Sequence, residues 1–123
     1  MRLLLDTHVA IWWLSGSDRL SKPTRSAIES AAEAFLSVVS LWEIVIKQDR
    51  GRLELPVGFA EALRDDFRDL PLRADHVLEA RELPPIHRDP FDRMLVAQAR
   101  VEGLTVVTAD RQVAEYGVPI IAA

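Results

Sequence analysis

Carboxylates recur where apolar runs end and helical stretches begin. Asp6 closes the run Arg2-Leu3-Leu4-Leu5, and Asp110 follows Thr108 by two residues, just after Leu104-Thr105-Val106-Val107. Glu43 lies in the opening turn of the helical stretch that follows residues 34–39, and Asp89 and Asp92 flank Pro90 at the start of another. Donor sets made only of oxygen suit a hard divalent cation such as Mg2+, which takes one or two carboxylates, retains several waters and binds substrate phosphates. The chain has no cysteine, which excludes a thiolate zinc site, a cysteine nucleophile and a disulfide scaffold.

Each acid also has a plain structural use. Asp6 can cap a helix through Val9 to Leu14, and Ser40 with Glu43 spells the S-x-x-E capping box. Asp89 reads as an N-cap with Asp92 in the acidic first turn, and Asp110 as the cap of a short helix ending near Tyr116. Such caps stabilise by about 1 kcal/mol each. Capping does not require the acids to share one edge of a sheet. Four carboxylates within a few ångströms repel one another, and at least one must hold a proton unless a cation offsets them. Helix N-terminal dipoles at the same edge add further stabilisation of the ionised forms. A metal site accounts for the joint pattern better than coincidental caps.

The elements that position these acids follow from the apolar pattern. Continuous runs at residues 2–5, 34–39, 104–107 and, more weakly, 118–121 suit strands covered on both faces. Between them lie helical stretches at residues 21–32, 41–48, 57–67, 74–83 and 90–102, the first with a capping serine and an early proline. The second carries Trp42, Val45 and Ile46 on one face, and the fourth carries Val77, Leu78 and Ala80. Strands alternating with helices imply βαβ units, hence an α/β fold: a three-layer α/β/α domain around a mostly parallel central sheet. With 123 residues, no repeat and no linker, residues 1–123 read as one domain. Right-handed crossovers end every parallel strand at the same edge, where ligands bind. Segments far apart in sequence thus deliver acids to one rim.

Leu5-Asp6-Thr7-His8-Val9, Ser40-Leu41-Trp42-Glu43-Ile44, the stretch Asp89-Pro90-Phe91-Asp92-Arg93-Met94-Leu95-Val96-Ala97-Gln98-Ala99 and Thr108-Ala109-Asp110, in this order, resemble a PIN-domain ribonuclease. The nearest resemblance is to the VapC-type toxins of bacterial type II toxin–antitoxin pairs, and it spans essentially the whole chain. It implies a PIN fold and a Mg2+- or Mn2+-dependent endoribonuclease that leaves a 5′-phosphate and a 3′-hydroxyl. By position, Asp6 would be the central ligand, Glu43 and Asp92 would complete the first metal site, and Asp110 would help hold a second ion. Thr7 and Thr108 fall where the family places hydroxyls, and Asp89 is left as a cap or supporting residue. The implied partners are an RNA substrate, a cognate antitoxin protein and a second copy in a homodimer. A PIN nuclease that processes RNA without an antitoxin is the alternative.

Other α/β readings fail on particular residues. A receiver domain needs paired acids after the first strand, an aspartate ending the middle strand and a late lysine. Here Thr7 and His8 follow Asp6, the middle run ends in Ser40, and no lysine follows Lys47. A haloacid-dehalogenase-type phosphatase needs D-x-D where position 8 is histidine. His87-Arg88 reads as a solvated loop, with phosphate contact as its alternative, and Arg50 and Arg52 as candidate RNA contacts. His8 and His76 read as structural or exposed. The apolar run Val9–Leu14, with Trp12 and Trp13, reads either as a buried helix or as a face for a partner chain.

The formal net charge is −4, from 15 basic and 19 acidic residues. Setting aside the four acids leaves the remainder neutral, so weak non-specific RNA binding is expected, with few counterions released. No apolar run approaches the ~20 residues of a membrane span and no secretory cleavage site follows the first apolar stretch, so the expected location is the cytoplasm.

Overall fold

The computed structural model describes residues 1–123. In chain order the elements are β1 (Arg2–Leu5), α1 (Thr7–Ser15), α2 (Lys22–Ser30), β2 (Glu33–Ser37), α3 (Val38–Asp49) and α4 (Phe59–Asp66). They continue with β3 (Arg68–Leu70), α5 (Ala74–Arg81), α6 (Pro90–Glu102), β4 (Thr105–Thr108), α7 (Arg111–Ala114) and β5 (Ile120–Ala122). The strands form one sheet in the order β3-β2-β1-β4-β5. Every neighbouring pair is parallel.

β1 is the middle strand, with Leu5 opposite both Leu36 of β2 and Val107 of β4. Because side chains alternate across a strand, Leu3 and Leu5 enter one core with Val9, Ile28, Ile44 and Leu63. Leu4 enters the other, with Leu95, Val96 and Val106. Each of these fully buried leucines stabilises the fold by about 1.5–3 kcal/mol. Helices thus cover both faces of the sheet in three layers. No helix is long and apolar enough to cross a membrane.

Several boundaries differ from the sequence reading, each for a local reason. The fifth strand, β3, was not anticipated: Arg68-Asp69-Leu70 buries only Leu70 and lies at the sheet edge. A charged three-residue edge strand carries no apolar run to detect. The strand expected over 34–39 stops at Ser37, whose hydroxyl accepts the Val39 N–H at 3.0 Å and caps α3. Ser40 and Glu43 are therefore not a capping box, and Glu43 lies beyond the first turn. α3 turns Val39, Ser40, Glu43 and Ile44 inward. Trp42 and Val45 are exposed, as are Val77 and Leu78 of α5. α6 matches its expected span, opened by Asp89 and closed by Gly103 at φ 67.

Candidate metal centre

Asp6 leaves the middle strand at the carboxyl edge and is 7% exposed. It caps α1, accepting the Val9 N–H on Oδ1 at 2.8 Å. Oδ2 accepts the Thr108 hydroxyl from the end of the adjacent strand β4. Burial pushes the Asp6 carboxyl above the usual range, against these two hydrogen bonds, and the nearby Asp110 charge adds to the rise.

Glu43 reaches the same edge from α3 and is 3% exposed. Thr7, at the start of α1, donates to its Oε1 at 2.6 Å, and the Ser40 hydroxyl lies 3.1 Å from that of Thr7. Lys47, one turn further along α3, pairs with Oε2 at 2.6 Å. The sequence reading gave Lys47 no role, although its i,i+4 spacing from Glu43 puts the two on one helix face.

Asp89 caps α6, taking the N–H groups of Phe91 at 2.8 Å and Asp92 at 3.4 Å. Asp92, in that first turn, has a half-buried carboxylate whose Oδ2 lies 3.1 Å from His87 Nε2. It is pushed up to about 7, chiefly by burial and then by Asp89, with the His87 ring opposing and Asp6 and Glu43 adding to the rise. Asp110 caps α7 through Oδ1, which accepts the Gln112 N–H at 2.9 Å. Its main-chain N–H donates to Thr108 Oγ1 at 3.0 Å, tying it to the hydroxyl that serves Asp6.

The loop before α6 supplies the residue most underestimated from sequence. His87 is not in a solvated loop: its side chain is 14% exposed and its Nε2 lies 2.7 Å from Asp110 Oδ2 and 3.1 Å from Asp92 Oδ2. The Tyr116 hydroxyl accepts the His87 N–H at 2.7 Å, and the Arg93 guanidinium donates to that hydroxyl and to the carbonyls of Ala80, Leu83 and Pro84. These contacts join segments that no local pattern connects. Arg88 remains exposed, as do Arg50, Arg52 and His8. His76 is structural: it is fully buried, accepts the Arg73 N–H on Nδ1 and pairs with Glu102 at 2.9 Å. Trp13 packs within the chain, its indole N–H donating to Asp66 at 3.0 Å and its ring against Phe67.

The structure therefore brings Asp6, Glu43, Asp92 and Asp110 to one edge, with Asp89 supporting as a cap. Every donor atom offered is a carboxylate or hydroxyl oxygen, apart from the His87 ring. Burial first, and then the neighbouring acids, disfavour the charged form of Asp92, a cost that a divalent cation would relieve. The residues present fit such an ion.

Comparison with known proteins agrees with this fold. Residues 3–119 match the PIN domain family. The chain is 33% identical to Ribonuclease VapC22 of Mycobacterium tuberculosis over 121 residues, 95% of this chain and 93% of that protein. Its fold is similar to that in the crystal structure of VapBC2 from Rickettsia felis bound to a promoter DNA fragment (TM-score 0.75, 13% identity, 99% of this chain and 98% of that one). It is also similar to VapC20 of Mycobacterium tuberculosis, a Sarcin-Ricin loop cleaving toxin (TM-score 0.68, 18% identity, 98% and 99% of the two chains). With the family match covering nearly the whole chain and a ribonuclease related along its length, this protein belongs to the PIN-domain family and is of the VapC type.

Proposed function

We propose that residues 1–123 act as one PIN unit that hydrolyses RNA phosphodiester bonds internally, using a divalent cation, Mg2+ or Mn2+, held by Asp6, Glu43, Asp92 and Asp110. The observation that carries this reading is the convergence of these four acids at one sheet edge, where Asp6 and Asp110 share the Thr108 hydroxyl and the half-buried Asp92 is pushed up by burial and by the acids around it. A bound divalent cation supplies charge relief at the phosphoryl oxygens and an activated water. The chain's own side chains prepare the place. Val9 and Thr108 fix Asp6, Thr7 and Lys47 fix Glu43, and the Asp89 cap fixes the first turn bearing Asp92. Ligands locked by such outer contacts need little rearrangement when the ion binds.

We propose further that the protein is the toxin of a type II toxin–antitoxin pair acting in the cytoplasm. The 33% identical relative is a ribonuclease, and the similar Rickettsia felis structure is a VapBC2 assembly on promoter DNA, which supports an antitoxin as partner. Exposed apolar side chains, including Trp42, Leu72, Val77 and Leu78, support protein partners, among them a second copy in a homodimer. The decisive experiment incubates purified protein with total RNA and Mg2+ or Mn2+ and maps the new ends. Internal cuts with 5′-phosphate ends that disappear in Asp6→Asn support the reading. No cleavage with either ion, or full activity in Asp6→Asn, overturns it.

A further inference from the structure

Beside the carboxylate centre lies a cavity of about 210 Å3 between α3 and α6, lined by Val39, Trp42, Leu72, Pro90, Phe91 and Met94. No lining side chain carries a charge, and the one polar group among them is the Trp42 indole N–H. Trp42 is 61% exposed, and its ring meets that of Phe91 edge to face, with centroids 5.4 Å apart. Two positions tie this space to the chemistry. Trp42 immediately precedes Glu43, and Phe91 immediately precedes Asp92. Each ring therefore stands on the same helical turn as an acid of the centre, and the helices that fix the acids also fix the rings.

The size favours one flat group. Pockets for drug-sized ligands run to about 300–1,000 Å3, and a docked helix or strand needs a groove several residues long. The part of an RNA chain that matches a small uncharged aromatic slot is the face of a base. Unstacked bases of single-stranded RNA are held on aromatic side chains in this manner. The charge balance points the same way. Outside the four acids the chain is neutral, so attraction for phosphates supplies little affinity and contact with a base supplies what is missing.

We propose, resting on the nuclease reading above, that this cavity seats one unstacked base of the RNA substrate, against Trp42 and Phe91, close to the bond that is cut. Duplex RNA keeps its bases stacked inside, so single-stranded segments are the preferred substrate. A protein partner lying on Trp42 and Leu72 would exclude the base. A second copy bound through Val77 and Leu78, which do not line the cavity, would leave it open.

The test is a cycle that changes protein and substrate together. An unstructured oligoribonucleotide with a mapped cut is cleaved in Mn2+ by the wild type, Trp42→Phe and Trp42→Ala. Each also meets versions of it carrying one abasic nucleotide at successive positions around the cut. Trp42→Ala is expected to raise KM about 10-fold with kcat little changed, while Trp42→Phe, which keeps a ring, stays within about 3-fold of the wild type. One abasic position costs the wild type the same factor and costs Trp42→Ala nothing further. An unchanged KM in Trp42→Ala, or losses that multiply independently at every position, overturns the base subsite and leaves the nuclease reading intact. Independent losses joined to a smaller sedimenting species in Trp42→Ala overturn it in favour of a protein contact. No cleavage by the wild type with either ion overturns the nuclease reading, and the subsite with it.

Discussion

Glu43 is almost wholly removed from solvent, and the one cation against it is Lys47. A buried carboxylate whose partner is deleted retains its desolvation cost without compensation. Lys47→Met is expected to destabilise the metal-free protein by about 1–3 kcal/mol, because the lysine end of the pair is partly solvated. Mn2+ should recover much of that loss, which thermal unfolding with and without the ion measures. If Lys47 instead matters only as surface charge, the variant melts with the wild type in both conditions. Asp6→Asn tests the other central acid. It keeps the shape and the Val9 cap but removes the charge, so the fold persists while cleavage falls on the order of 100-fold or more. Circular dichroism and a cleavage assay on the same preparation separate the two effects.

At the level of elements, the site depends on where α3 starts. Ser37 ends β2, caps α3 and donates to Gln98 Oε1 of α6 at 2.6 Å, while the Gln98 amide donates to the Pro71 carbonyl at 3.2 Å. All of this is sealed from solvent, with Ser37 and Gln98 both 0% exposed. Ser37→Ala removes the cap and strands the Gln98 oxygen, so a loss of about 1–3 kcal/mol is expected by denaturant unfolding. Because α3 carries Glu43 and α6 carries Asp92, cleavage should weaken as well. An unchanged midpoint would show that the cap and the buried link contribute nothing. Ser40 fits the S-x-x-E pattern, but the serine that caps α3 is Ser37, three residues earlier at the end of β2. A capping pattern reports which residue types suit a helix start, whereas the start itself is decided by which backbone groups the sheet has already used.

For the whole molecule, the clustered acids make stability depend on pH and on metal. In chelator-treated protein, Asp6 and Asp92 have folded values above their ordinary value of 3.8, Asp92 at about 7. The folded state therefore binds protons more tightly than the unfolded chain. Stability falls as pH rises from about 4 to 7 and is regained on acidification across that window. Asp69, Asp75 and Glu102 are shifted the other way, held down mainly by hydrogen bonds from Arg64, Arg73 and His76 respectively. Their contribution is lost only at lower pH. The melting temperature of the metal-free protein is thus expected to rise from pH 7 to about pH 5, and saturating Mn2+ should flatten that slope. A metal-free melting temperature that falls steadily on acidification would contradict the clustered-acid picture. The charge balance gives a second prediction at this scale. With the remaining 15 acids matched by 15 basic residues, non-specific RNA binding should be weak and its logarithm should vary with log[salt] at a slope shallower than about −2. Filter binding across a salt series measures it.

The sequence by itself determined the α/β layering, the span of α6 and the delivery of four acids to one edge, because continuous apolar runs, helix periods and right-handed crossovers are properties of chain order. It also carried the family's signature in residue types at fixed spacing. Tertiary structure alone decided that β3 completes the sheet, that Ser37 rather than Ser40 opens α3, and that His87 reaches Asp110 and Asp92 while Lys47 reaches Glu43. Those contacts depend on the register of non-adjacent strands and on loops held by Tyr116 and Arg93 from distant segments. Local pattern has no access to such distances; only packing sets them.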